Sequence, residues 1–220
     1  GVDIFFVISG FIMFHTTREG RRTLGQFWTD RAIRIVPMYW IATAAIIVLV
    51  MAGLHPLGVI RIDVGDVVQD LLFIPNTRAD GDAYPILDVG WTLNYEMYFY
   101  ILFGLTFFLR SQLASLVFLT FFFAGSFVLD RLVNLPLPIH TFFQPITLEF
   151  AAGAGLALIY RRPIAIAPLT GRIVGWGIIA SATAALFYAA FKVGWRLNDD
   201  VATRAIAYGI PAVGIVAGAL

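Results

Sequence analysis

Three carboxylates sit inside strongly apolar stretches of this chain: Asp3 in "GVDIFFVISGF" (1–11), Glu96 in "GWTLNYEMYFYILF" (90–103) and Glu149 in "FFQPITLEFAAGAGLALIY" (142–160). An acidic side chain at the centre of a membrane helix costs about 2.5–3.5 kcal/mol on insertion scales, so a retained one faces protein, water or substrate. Glu96 gives the sharpest signal. At helical spacing Thr92, Glu96 and Tyr100 share one face, and Trp91, Tyr95 and Tyr98 another. A carboxylate more than one turn inside a span, beside hydroxyls, suits a site that orients a polar acceptor or holds a cationic partner. Trp91 and Tyr98 also fit an aromatic belt at headgroup level.

Asp3 shares a helical face with Val7, Gly10 and Phe14, and Gly10 would let another backbone or a substrate come close. Equally, a carboxylate at a helix start favours the positive end of the helix dipole. Glu149 lies on one face with Pro145 and Gly153, next to the small residues Ala151, Ala152, Ala154 and Gly155. That pattern fits tight helix packing around a structural, hydrogen-bonded carboxylate. The basic residues between Arg18 and Arg34 anchor a helix end. Arg31 and Arg34 in addition suit a phosphate-bearing donor, because guanidinium binds phosphate bidentately.

The elements that must position these groups are membrane helices. Hydrophobic residues make up 60% of the 220 and charged ones 13%, with the apolar residues in long blocks, a composition for lipid rather than water. The expected fold is an all-α, polytopic transmembrane bundle of about seven spans, over residues 2–17, 37–54, 92–109, 113–130, 142–160, 172–191 and 204–220. "TLGQFWTDRAIRIVP" (23–37) reads as a short interfacial helix, with Pro37 opening the next span. Net charge is +1, and no basic face interleaved with aromatics points to nucleic acid. With no Cys and three scattered His, neither thiolate chemistry nor a metal cluster is expected.

Alternating the loops puts Arg18, Arg21, Arg22, Arg31, Arg34, Arg110, Arg161, Arg162 and Arg172 on one side. Arg61, Arg78, Arg131, Lys192, Arg196 and Arg204 fall on the other. The richer side is expected to be cytoplasmic. The long loop 55–91 then lies outside, carrying Asp63, Asp66, Asp70, Asp80, Asp82 and Asp88, and its length favours a functional role. Gly1 opens directly in apolar sequence without Met, and the last apolar run reaches Leu220. The expectation is a fragment of a longer membrane domain, short of an upstream piece and cut at its C-terminal end.

Four blocks in order, "GVDIFFVISGF" (1–11), "FWTDRAIRIVPMYW" (27–40), "GWTLNYEMYFY" (90–100) and "LEFAAGAGLAL" (148–158), resemble the acyltransferase 3 family of multi-pass membrane O-acyltransferases. The closest likeness is to its exopolysaccharide-production members. By that resemblance Asp3, Ser9, Gly10, Arg31, Arg34, Trp91, Tyr95 and Glu96 fall on recurring family positions. The family's key His belongs to a span upstream of Gly1, so His15, His55 and His140 take no catalytic role, and residues 1–220 alone are expected to be inactive. The resemblance implies transfer of an acyl group, acetyl or similar, from a cytoplasmic donor to a sugar hydroxyl of an exported polysaccharide or lipid-linked glycan. Acyl-CoA is the expected co-substrate, with no bound cofactor, in the inner membrane. Glu96 would orient a base or the acceptor, Asp3, Ser9, Gly10, Trp91, Tyr95 and Tyr100 would contact substrate, and Arg31 and Arg34 the donor. Two other readings stay open: a transporter or flippase for lipid-linked sugars, and a non-catalytic remnant.

Overall fold

A computed structural model of the chain describes residues 1–17, 23–54, 59, 62–77, 84–109, 111–161, 168–192 and 201–220. Of the positions singled out above, Arg18, Arg21, Arg22, His55, Arg61, Arg78, Asp80, Asp82, Arg110, Arg162 and Arg196 lie outside the described residues. The described residues are helical, and no strand occurs among them. In chain order the helices are α1 (Val2–Thr16), α2 (Leu24–Met51), α3 (Val64–Leu71), α4 (Gly90–Leu105), α5 (Gln112–Leu132), α6 (Leu137–Phe142), α7 (Leu148–Tyr160), α8 (Pro168–Lys192), α9 (Val201–Arg204) and α10 (Ile210–Ala219). A 3-10 turn, Pro145–Thr147, leads into α7, and a π-helical segment, Ala205–Gly209, joins α9 to α10.

Four segments are long and apolar enough to cross a membrane: Leu24–Met51, Gln112–Leu132, Leu137–Tyr160 and Leu169–Lys192. Val2–Thr16 and Ala205–Ala219 are apolar but shorter. At 1.5 Å per residue such a helix covers about 22 Å of a hydrocarbon core about 30 Å thick.

Two compact units divide the chain. The first comprises Gly1–Arg21, Phe108–Leu132 and Phe143–Leu220. Its centre is the crossing of α1 and α7, where backbones touch. A Cβ added at Gly10 would land on the Phe150 carbonyl, and one at Gly153 on the Val7 carbonyl. Small residues at this crossing stand in for the apolar driving force that lipid does not supply. Phe6 packs on Phe150 with ring centroids 4.7 Å apart, and Val7 joins Ala212 and Val216 of α10 in a buried cluster. At the other end of α1, Gln112 donates to the carbonyls of Phe14 (3.2 Å) and Thr17 (2.9 Å), and Arg161 to those of Phe14 (2.5 Å) and His15 (3.1 Å). These bonds satisfy carbonyls that a helix C-terminus leaves open.

The second unit comprises Arg22–Phe107 and Val133–Phe142. Here the expected break at Pro37 does not occur. A capping box between Thr23 and Gln26 starts α2, which runs 28 residues to Met51 with Pro37 in its interior. Pro37 and Ile33, whose carbonyl loses its partner four residues on, are both exposed, so the missing bond lies on the outer side of the helix. The expected span 142–160 is likewise interrupted: α6 stops at Phe142, and Pro145 starts a 3-10 turn instead of lying on a common helix face with Glu149.

The acidic loop 55–91 contains the unexpected helix α3. Asp63 and Asp66 form its capping box, Asp66 also accepts from Asn76 (3.2 Å), and Asp70 accepts from the Ile86 amide (2.6 Å). These carboxylates hold the loop together. After α3 the chain turns through Phe73 at φ 59°, left-handed backbone that costs a bulky residue energy. The Phe73 ring packs on Tyr39, with centroids 4.8 Å apart.

Candidate functional site

Each unit brings together one polar group of interest. In the second unit, α2 and α4 assemble Arg31, Glu96 and Tyr100. Glu96 and Tyr100 lie one turn apart on α4, both almost wholly buried, and the Tyr100 hydroxyl donates to Glu96 Oε1. From α2, the Arg31 guanidinium lies 5.7 Å from the Tyr100 ring centroid and 5.8 Å from that of Phe27. A cation over two ring faces is held where its charge acts on the neighbouring polar pair. The Phe27 ring is fixed in turn by Phe103 (5.4 Å) and Phe107 (5.2 Å). Arg34 is exposed on α2, yet near enough to act electrostatically on Tyr100. The arrangement presents a buried carboxylate oriented by a phenol, with cationic charge beside it.

The other residues of α4 divide their work. Thr92 shares the expected face but donates to the Val89 carbonyl at 2.8 Å. Tyr95, a candidate sugar-stacking residue, is buried; its hydroxyl donates to the Thr141 carbonyl at 2.5 Å and its ring packs against Phe142 and Trp91. It ties α6 to α4. Trp91 is half-buried.

In the first unit the helix starts of α1 and α7 meet the end of α9. Asp3, buried on α1, pairs with Arg204 at 3.3 Å. Glu149, in the first turn of α7, lies beside Asp3 and within electrostatic range of Arg204. The Glu149 oxygens take no hydrogen bond from an N–H or hydroxyl donor among the described residues, and the side chain within hydrogen-bonding reach of them is the Asp3 carboxyl. Ser9 is buried on α1. The close approach that Gly10 permits is taken by the α7 backbone, which leaves no room for a substrate against that glycine.

Sequence reasoning missed Arg204, counting it only as a loop cation. Its signal was available: a lone basic residue at the mouth of the apolar run 205–220, at the membrane level where Asp3 needs a counter-ion. Among the described residues no group of acidic or His side chains is arranged to hold a metal.

With this geometry in place, similarity to known proteins decides the class. The acyltransferase domain matches over residues 1–220. The chain belongs to the acyltransferase 3 family. Over 159 residues this acyltransferase-family chain is 41% identical to the exopolysaccharide production protein ExoZ of Rhizobium meliloti (strain 1021), a stretch covering 70% of the chain and 48% of that protein. The chain therefore spans about half the length of the curated relative it matches. No solved structure matches it.

Proposed function

We propose that this membrane acyltransferase moves an acyl group, acetyl or similar, from acyl-CoA at the cytoplasmic face to a sugar hydroxyl of an exported polysaccharide. The observation that carries the reading is the Arg31–Tyr100–Glu96 group inside a family acyltransferase chain. The hydroxyl oxygen attacks the thioester carbonyl, the new C–O bond replaces the C–S bond, and the hydroxyl proton ends on the departing CoA thiol. Glu96, aimed by Tyr100, orients the acceptor or its base. Arg31 and Arg34 supply the cationic charge that binds the acyl donor. Trp91 offers a face to the sugar. The exopolysaccharide name of the relative supports the acceptor class.

In this reading the chain crosses the inner membrane seven times, the three shorter apolar segments α1, α4 and 205–219 spanning with the four long ones. Residues before α2 face the cytoplasm and the loop 55–91 faces outward. A chain without native Cys offers a clean test. Gly25, where a side chain would meet nothing within 4 Å, and the exposed Tyr84 accept single Cys probes. In intact cells Gly25→Cys should resist an impermeant thiol reagent and Tyr84→Cys should label. The reverse pattern would invert the assignment of donor and acceptor sides. Acyl transfer itself is tested with labelled acetyl-CoA in sealed vesicles, as developed below.

A further inference from the structure

Three ionisable side chains from three elements meet in the first unit, inside apolar surroundings. Asp3 on α1 and Glu149 on α7 are 6% and 4% exposed. Arg204, at the end of α9, pairs with Asp3 at 3.3 Å. The Asp3 carboxyl is also within hydrogen-bonding reach of Glu149, whose oxygens take no bond from an N–H or hydroxyl donor among the described residues. Gly209, at the end of the π-helical segment, leaves room for the Glu149 side chain: a Cβ there would stand 2.9 Å from its Oε1. The other titratable groups on the packed elements are engaged elsewhere or exposed. Tyr208 offers its ring to Arg204 at 6.0 Å; on α5, Asp130 accepts from Gln144 (3.3 Å) and Arg131 lies over the Phe127 ring (5.1 Å). Tyr188 and Lys192 of α8 are exposed, and α10 carries no titratable residue. The Gly1 amino group, also in range, is a cation only where residue 1 begins the chain.

Two carboxylates against one guanidinium would leave a net negative charge inside an apolar bundle, and two ionised carboxyls in contact repel each other. A hydrogen bond between two carboxyl groups needs a proton on one of them, because an ionised carboxylate only accepts. One proton meets both demands. Asp3 already has Arg204 as counter-ion, so the charge belongs to Asp3 and the proton to Glu149. We propose that Glu149 is a positioning residue that carries a proton and donates a hydrogen bond to Asp3, so that Asp3, Glu149 and Arg204 form a neutral triad locking the starts of α1 and α7 to the end of α9. Asp3 is thereby held between a cation and a neutral donor. The triad is not sealed: a cavity of about 410 Å³ bordered by Asp3, Arg204, Thr183 and Tyr208 gives its proton a path for exchange with water. Loss of that proton sets two carboxylates against each other and forces apart the helix starts, on the same two helices that Gly10 and Gly153 hold in backbone contact.

The test uses the full-length protein in lipid nanodiscs. Glu149→Gln replaces the O–H donor by an amide N–H, so it should insert and fold. At neutral pH the infrared spectrum of the parent minus that of Glu149→Gln should contain the C=O stretch of a protonated carboxylic acid, which moves to lower frequency in D2O. Asp3→Asn leaves Glu149 as the lone carboxyl beside Arg204, free to ionise, so the same band should be missing there. The folded triad holds a proton that separated carboxyls give up, so stability is lost as the pH rises. Between neutral and alkaline pH the parent's thermal midpoint should fall at least about 2–4 °C further than that of Glu149→Gln or Asp3→Asn, the scale of one net hydrogen bond in a domain of this size. Asp130→Asn should follow the parent. A difference spectrum with carboxylate stretches only, loss of the fold in Glu149→Gln, or equal pH slopes in the parent and Glu149→Gln overturns the proposal, as does a slope abolished by Asp130→Asn. None of these readouts requires acyl transfer, so a failure of the catalytic reading and a failure of this triad are read separately.

Discussion

Glu96→Gln in the full-length protein is expected to leave insertion and abundance near the parent level while acyl transfer falls by about 10²-fold or more, the scale of a lost proton-transfer role. Gln keeps the shape of the side chain, and its amide oxygen still accepts the Tyr100 hydroxyl, so the α4 turn that carries both residues is preserved. The charge alone disappears, beside an Arg31 guanidinium stacked on the Tyr100 ring. Acylated glycan per unit of membrane-inserted protein is the measurement. A value unchanged in Glu96→Gln would remove Glu96 from the site, and a fall that tracks protein loss would make it a packing carboxylate.

The second large effect is on stability. Gly153→Ala should destabilise the first unit by more than the ordinary overpacking range of about 1–3 kcal/mol, because its methyl would occupy the position of the Val7 carbonyl. Backbone cannot rotate aside as a side chain can, so α1 and α7 must separate and loosen Phe6 from Phe150. Gly10→Ala meets the Phe150 carbonyl in the same way. Gly25→Ala, with nothing within 4 Å, is the control and should be neutral or stabilising by about 0.4–1 kcal/mol. Thermal midpoints in detergent, followed by size-exclusion fluorescence, rank the three. A midpoint for Gly153→Ala equal to that of Gly25→Ala would refute the backbone contact.

The parts of this structure legible in the sequence were those with a local period. Apolar runs marked α2, α5, α7 and α8, the Gly and Ala cluster at 151–155 marked a tight crossing, and the spacing of Glu96 and Tyr100 placed them on one face. Misreadings came where one residue type has two meanings. Pro37 opens a helix or sits inside one, and the capping box at Thr23, with the exposed outer face at Ile33, decides for the interior. Pro145 was read as continuing a span, whereas it starts the 3-10 turn that ends one element and begins α7. In the loop 55–91, whose length favoured a functional role, Asp63, Asp66 and Asp70 prove to be caps and amide acceptors. Invisible from sequence were the long-range meetings: Arg31 over Tyr100, and Asp3 with Arg204 from the far end of the chain. No local pattern encodes these, because they depend on which helix faces pack.

The most direct measurement of the central claim supplies acetyl-CoA labelled in its acetyl group to the cytoplasmic face of sealed inverted vesicles holding the full-length protein and its glycan acceptor. Label is predicted to enter the glycan as an ester that hydroxylamine releases, with the parent protein exceeding Glu96→Gln by about 10²-fold per unit of inserted protein. Glycan that crosses the membrane in these vesicles without gaining label would contradict the account and identify a carrier of sugars in place of an enzyme that acylates them.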